Sequence, residues 1–90
     1  MHKFHGELLI GGMRLRDLEG ELEDRGDSGT PSFAGRFTID PAQRAWLALN
    51  RPYRLQLDDG RAGQVVLSKM DVPDGEMTML VEFSGISKLG

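Results

Sequence analysis

The chain has 90 residues, a formal net charge of −3 and no cysteine, which fits one small domain and excludes disulfides, thiolate chemistry and cysteine-based zinc sites. Hydrophobic residues make up 39% and charged residues 28% of the chain, a composition typical of a globular protein. No apolar run approaches the roughly 20 residues that cross a bilayer. The negative net charge also argues against a protein whose main role is to bind phosphate backbones.

The acidic residues are concentrated in the first third of the chain. Residues 1–31 carry four basic and seven acidic residues, whereas residues 32–90 carry seven of each. Several of the acidic residues alternate along one predicted strand, namely Asp17, Glu19, Glu21 and Glu23. Alternate side chains lie ~7 Å apart on a strand, which is too far for them to bind one calcium ion without other ligands. We interpret this row as a solvated face that discourages edge-to-edge association.

Glycine-containing turns divide the chain into strands. Gly11-Gly12 predicts a type I′ hairpin between the first two strands. Asp58-Asp59-Gly60 and Pro73-Asp74-Gly75 predict two hairpins, each with a three-residue loop whose glycine is in the left-handed region. The first loop places Tyr53 opposite Val65, which gathers apolar side chains on one face.

The same reasoning at Pro73-Asp74-Gly75 places Val65 opposite Phe83 and Leu67 opposite Val81. A further loop is predicted at residues 25–31, where glycine, serine and proline cluster.

The second strand changes phase along its length. Met13 and Leu15 fall on one face, but Leu18 and Leu22 fall on the other. A β-bulge near Arg16-Asp17 would bring all four onto one face, because it adds one residue to the strand.

An apolar residue followed two positions later by glycine recurs along the chain, at Phe4/Gly6, Phe33/Gly35 and Phe83/Gly85. Both members of each pair lie on the same face of a strand. Glycine on the inner face of a strand marks a bend or a close approach by another side chain. Bends of this kind allow a sheet to curl into a barrel.

One short helix is predicted at about residues 41–50. Asp40 is a suitable N-cap, and Pro41 suits the first helical position. Apolar residues at helical spacing, including Trp46 and Leu49, are expected to pack onto the barrel. Asn50 and Pro52 then end the helix.

The predicted fold is therefore mainly β: a small six-stranded, partly open antiparallel barrel in the order β1-β2-β3-α-β4-β5-β6. A helix between the third and fourth strands resembles the OB-fold arrangement. The resemblance is topological and covers residues 1–69, and the sixth strand leaves other small barrels open as alternatives. We expect a single domain over residues 1–90. The first residues are not followed by the apolar stretch of a signal peptide, so we expect a cytoplasmic, bacterial protein that makes no membrane contact.

Apolar residues on the predicted outer face of the barrel indicate the function. In the registers given above, Val66, Met70 and Leu80 fall on the outer face of the last two strands, and exposed apolar patches mark partner surfaces. We therefore predict a non-catalytic module for protein–protein interaction or self-assembly, which forms a homo-oligomer or docks to another protein through these three residues.

The alternative is an OB-like module that binds a ligand or nucleic acid through a cluster of arginines, namely Arg44, Arg51, Arg54 and Arg61. Nucleic-acid binding would also need exposed aromatic rings among the charges. Nearly all of the aromatic residues fall on the predicted inner face, which disfavours this alternative.

Catalytic and metal-binding patterns are weak. His2 and His5 are the only histidines, and they have no obvious third ligand for a metal. The serines lack a visible base partner. We therefore predict no enzymatic activity, no metal site and no cofactor.

Overall fold

The fold is a closed barrel of six antiparallel strands. The computed structural model describes residues 2–25 and 32–90, so all but the first residue of the predicted loop at 25–31 lies outside the described residues. The strands and the one helix of this part of the chain are β1 (His2–Ile10), β2 (Met13–Asp24), β3 (Phe33–Ile39), a 3₁₀ helix (Pro41–Trp46), β4 (Pro52–Leu57), β5 (Ala62–Asp71) and β6 (Met79–Gly85).

The strands pair in the order β1-β2-β3-β6-β5-β4, and β4 pairs back to β1. This confirms the predicted six-stranded barrel with a short helix between β3 and β4. The barrel is closed rather than partly open, because β1 is hydrogen-bonded to β2 on one side and to β4 on the other.

The predicted bulge in β2 is confirmed. Leu15 pairs with Leu8 and Leu18 pairs with Gly6, so that Arg16 and Asp17 together lie opposite a single residue of β1. Asp17 has a φ of 57°, in the left-handed region that aspartate tolerates better than most residues. As a result, Leu15 and Leu18 are both buried although their spacing would place them on opposite faces of a regular strand.

The two later hairpins differ in how well the sequence predicts them. The β4–β5 register is as predicted, with Tyr53 opposite Val65 and Gly60 at a φ of 94°. The β5–β6 register is not. Leu67 pairs with Phe83 rather than with Val81, because the connection extends over residues 72–78 and β5 contains a second bulge after Leu67.

The β1–β2 turn is tight, as expected, with Ile10 opposite Met13. Of its two glycines, only Gly11 has a φ in the left-handed region, at 58°. This is the pattern of a type II′ turn rather than the predicted type I′.

Phenylalanine rings fill the middle of the barrel. The ring centroid of Phe83 lies 6.1 Å from that of Phe4, 6.4 Å from that of Phe33 and 5.9 Å from that of Phe37. Phe33 is fully buried, and its ring lies directly over Gly63 and Gly85.

A Cβ atom added at Gly63 would come within 2.9 Å of the Phe33 ring, and one added at Gly85 would overlap the ring. Gly85 of the sequence pattern and Gly63 outside it therefore provide space for an aromatic core.

The β3–β4 connection crosses one end of the barrel, because β3 and β4 lie on opposite sides in the closed strand order. The 3₁₀ helix starts as predicted: the Asp40 side chain accepts a hydrogen bond from the Ala42 backbone N–H at 2.9 Å. After the helix, the Ala48 N–H donates to the Tyr53 hydroxyl at 3.0 Å, and the Asn50 N–H donates to the Leu67 carbonyl at 3.0 Å.

The buried residue of this connection is Leu47, which is 8% exposed, whereas Trp46 and Leu49 are 48% and 44% exposed. The prediction that Trp46 and Leu49 pack onto the barrel is wrong. It assumed the 3.6-residue period of an α-helix up to residue 50, but the helix is a 3₁₀ helix and ends at Trp46. Leu47, directly after the helix, has an extended backbone and is buried, and Leu49 and Asn50 then form a turn.

We predict that Gly85→Ala lowers the free energy of unfolding by about 1–3 kcal/mol, because the new methyl group meets the buried Phe33 ring. This corresponds to a fall in melting temperature of roughly 5–20 °C for a domain of this size. The matched control is Gly12→Ala, where nothing lies within 4 Å of the added Cβ and the change should stay within about 0.5 kcal/mol. Equal melting temperatures for the two variants would contradict the proposed packing.

We predict that Leu47→Ala destabilises the protein by about 2 kcal/mol or more, because it removes the side chain that anchors the crossing connection in the core. Ile86→Ala serves as the control, since Ile86 is 52% exposed and its truncation should cost clearly less. Denaturant unfolding of both variants measures the difference. Similar midpoints would show that Leu47 does not anchor this segment.

Candidate interaction surface

Three connections meet at one end of the barrel. Because neighbouring strands run antiparallel, the β1–β2, β3–β4 and β5–β6 connections all lie at the end where β1, β3 and β5 finish. The β3–β4 connection crosses the middle of this end. The tips of the other two hairpins stand on either side of it.

This end collects most of the exposed large hydrophobic side chains. Among the residues that the structure describes, the exposed ones are Ile86 and five at this end, Met13 at 46%, Trp46 at 48%, Leu49 at 44%, Val72 at 42% and Met77 at 90%. We call these five residues the apolar end. Each of the three connections contributes to it, so the surface exists only because the barrel brings distant parts of the chain together.

The charges that follow the N-cap Asp40 in the crossing connection differ in sign from those of the β5–β6 connection. Arg44 and Arg51 lie on or beside the crossing connection, whereas Asp74 and Glu76 lie in the β5–β6 connection. All four side chains are exposed. None of the ion pairs found in residues 2–25 and 32–90 involves any of them. The end therefore presents a basic part and an acidic part beside its apolar residues.

The structure separates the three residues predicted as the interaction surface. Val66 and Leu80 are half-buried on the outer face of the barrel, where they pair with Ser84 and Thr38 respectively. The bulge after Leu67 reverses the alternation of β5, so Met70 pairs with inward-facing Val81 and packs against the core. Val66, Met70 and Leu80 are thus not on a common face, because the predicted register contained no bulge.

The four arginines that were predicted to form one cluster do not lie together either. Arg51 precedes the first residue of β4 and Arg61 follows its last residue, so the two lie at opposite ends of a strand ~20 Å long. Arg54 is exposed on the outer face of β4, and Arg44 lies on the 3₁₀ helix. The phenylalanine rings that could stack with bases are directed into the barrel, where Phe33, Phe37 and Phe83 are buried.

Arg61 belongs to a local ion-pair network. Its guanidinium lies 3.3 Å from Asp24 Oδ2 and 2.9 Å from Asp59 Oδ2. The Arg61 backbone N–H also donates to Asp59 Oδ1 at 3.0 Å. This backbone hydrogen bond is the main reason why the pKa of Asp59 lies below its usual value. Arg61 is therefore engaged by carboxylates of its own chain.

His5 lies between two carboxylates on the outer face. Its Nδ1 is 3.0 Å from Asp58 Oδ2, and its Nε2 is 3.3 Å from Glu19 Oε1. Glu21 pairs in the same way with Arg36 at 3.5 Å. The acidic row of β2 is thus directed outward, as predicted, and is partly neutralised by neighbouring strands. Exposed pairs of this kind contribute about 0–1 kcal/mol each.

Residues 2–25 and 32–90 contain no group of three or more histidine, aspartate or glutamate side chains placed to hold a metal ion. Nor does this part of the chain contain a helix with the length and apolar composition needed to cross a membrane.

The fold and this surface define a small, closed, six-stranded antiparallel barrel with one apolar end. Comparisons with protein-family models, curated proteins and solved structures find no match to this chain.

The sequence contained partial signals for the apolar end. Val72 and Met77 are large hydrophobic residues directly flanking a proline–glycine turn, a place where polar residues are usual. Trp46 and Leu49 were assigned to the core on helical periodicity, and this hid their exposure. No sequence pattern indicated that Met13 lies at the same end, because that depends on the strand order.

Proposed function

We propose that the protein is a non-catalytic module that self-associates through the apolar end. The observation that carries this proposal is the convergence of Met13, Trp46, Leu49, Val72 and Met77 from three separate connections. Contiguous apolar residues with a polar rim are typical of protein interaction sites. Tryptophan and methionine are also enriched in such interfaces.

The charges favour a second copy of this chain as the partner. In a twofold dimer, each surface contacts the same surface of the other copy. A twofold arrangement can therefore place the acidic β5–β6 connection of one copy against Arg44 and Arg51 of the other, and it makes this contact twice. Opposite charges around an apolar centre would orient the two copies and disfavour other partners.

The proposed contact differs from the predicted surface on the barrel wall. Leu80 lies on the wall, whereas Met77 lies at the apolar end, so single substitutions distinguish the two surfaces. Both residues are accessible enough to accept a charge, since Met77 is 90% exposed and Leu80 is half-buried on the outer face.

We predict that the purified protein is a dimer of the 10.0 kDa chain, and that Met77→Arg converts it to a folded monomer with a lower melting temperature, because association stabilises only the folded state. In the dimer the new charge would be buried against Arg44 and Arg51 of the other copy, whereas in the monomer it stays in water. Leu80→Arg is the control and should remain dimeric. Native mass spectrometry and light scattering measure the oligomeric state.

A monomeric wild-type protein at the highest soluble concentration would overturn the proposal. A dimer that survives Met77→Arg but not Leu80→Arg would instead assign the contact to the barrel wall.

A charge exchange tests the twofold arrangement. We predict that the double variant Arg44→Glu/Arg51→Glu and the double variant Asp74→Arg/Glu76→Arg are each monomeric, because each dimer would place like charges together. An equimolar mixture should form a heterodimer, since both of its contacts again pair opposite charges. Native mass spectrometry separates the two masses. If the variants self-associate as well as the wild type does, these charges do not orient the contact.

A further inference from the structure

One strand of the closed barrel has an edge that its neighbour does not cover. β2 pairs with β1 from Met13 to Leu22, but it pairs with β3 only from Gly20 to Asp24. Beyond Phe37, β3 stays paired with β6 as far as Ile39 but no longer pairs with β2, and it then leads into the crossing connection. In the described part of the chain, no strand pairs with residues 13–18 on this side. We call this segment the strand edge.

The direction of its backbone groups follows from the pairing with β1. The tight turn places Ile10 and Met13 opposite each other as the first hydrogen-bonded pair of the hairpin. Hydrogen-bonded and non-hydrogen-bonded pairs then alternate, so the N–H and C=O of Leu15 point to β1. The N–H and C=O of Arg14 point the other way, to the strand edge. By the same alternation, the N–H and C=O of Arg16, just before the bulge, also point to the strand edge.

The side chains give the strand edge a defined chemistry. Arg14 and Arg16 are exposed on the outer face, with inward-facing Leu15 between them at 2% exposure. Arg14 lies 3.0 Å from Glu7. Arg16 makes no ion pair with the residues described here. An added strand would therefore meet two guanidinium groups on one face and an apolar side chain on the other.

A second copy of this chain is a poor occupant for this edge. Two such edges can form hydrogen bonds only through the residues whose backbone groups point outward, which are Arg14 and Arg16 on each copy. Every antiparallel register that pairs these residues places arginine opposite arginine, and like charges directly opposite each other are destabilising. The strand edge thus disfavours pairing with the same edge of a second copy, as charged edge strands commonly do.

We propose that the strand edge binds an extended segment of a different polypeptide, in which acidic residues alternate with apolar ones. The segment would continue the sheet by backbone hydrogen bonds to Arg14 and Arg16. Its carboxylates would face the two arginines, and its apolar side chains would lie beside Leu15. This interaction uses the backbone and arginines of the strand edge, which adjoins the apolar end at Met13.

The test uses a synthetic peptide of about eight residues that alternates valine and glutamate and has blocked termini. It is titrated into the Met77→Arg variant, so that self-association does not interfere. Backbone amide shifts in nuclear magnetic resonance spectra report the site of binding. We expect saturable shifts centred on residues 13–18. A peptide with lysine in place of glutamate should bind much more weakly.

Two variants separate the contributions to binding. Arg16→Glu should weaken binding by roughly two- to fivefold or more. Its matched control, Arg54→Glu, makes the same charge change on β4, which has a partner strand on both sides, and should have a smaller effect. Arg14→Pro should abolish binding by removing an outward N–H, and an edge position tolerates proline.

Equal weakening by Arg16→Glu and Arg54→Glu, equal binding of the lysine peptide, or shifts mapped elsewhere would each overturn the proposal. No saturable shifts in the monomeric variant would overturn this proposal alone, and a dimeric wild-type protein would leave self-association standing.

Discussion

The barrel depends on the contact between one phenylalanine ring and two glycines. Phe33 begins β3, and its ring occupies the space beside Gly63 of β5 and Gly85 of β6. No larger residue fits at either glycine while the ring stays in place. This contact lets the strands approach closely enough for Phe83 to touch three other rings. The resulting core is aromatic and continuous, although the chain is short.

The closed strand order has a direct consequence for the surface. Because β3 and β4 stand on opposite sides of the barrel, the chain must cross one end to connect them. Only Leu47 of this crossing is buried, while Trp46 and Leu49 remain exposed. Because β3 separates from β2 after Phe37 and ends at Ile39 to begin this crossing, the first part of β2 has no neighbour on that side. The apolar end and the strand edge therefore have one structural origin.

The two β-bulges show where the alternation of apolar residues in the sequence predicts a bulge and where it does not. The bulge at Asp17 was predictable, because Met13 and Leu15 are out of phase with Leu18 and Leu22. The bulge after Leu67 leaves no such mark. Met70 reads equally well as an outward residue of a regular strand, and only the pairing of β5 with β6 shows that it turns inward.

The sequence by itself determined the strands, the positions of the turns and the inward face of most strands. Period-two alternation and glycine placement are local properties, and the burial of Leu15, Val65 and Phe83 follows from them. Only the tertiary structure decided which connections meet at one end and which strand edge stays open. These depend on how distant strands pair and close, and side-chain alternation within one strand carries no information about that. The predicted sites at Val66, Met70 and Leu80 and at the four arginines were separated for this reason.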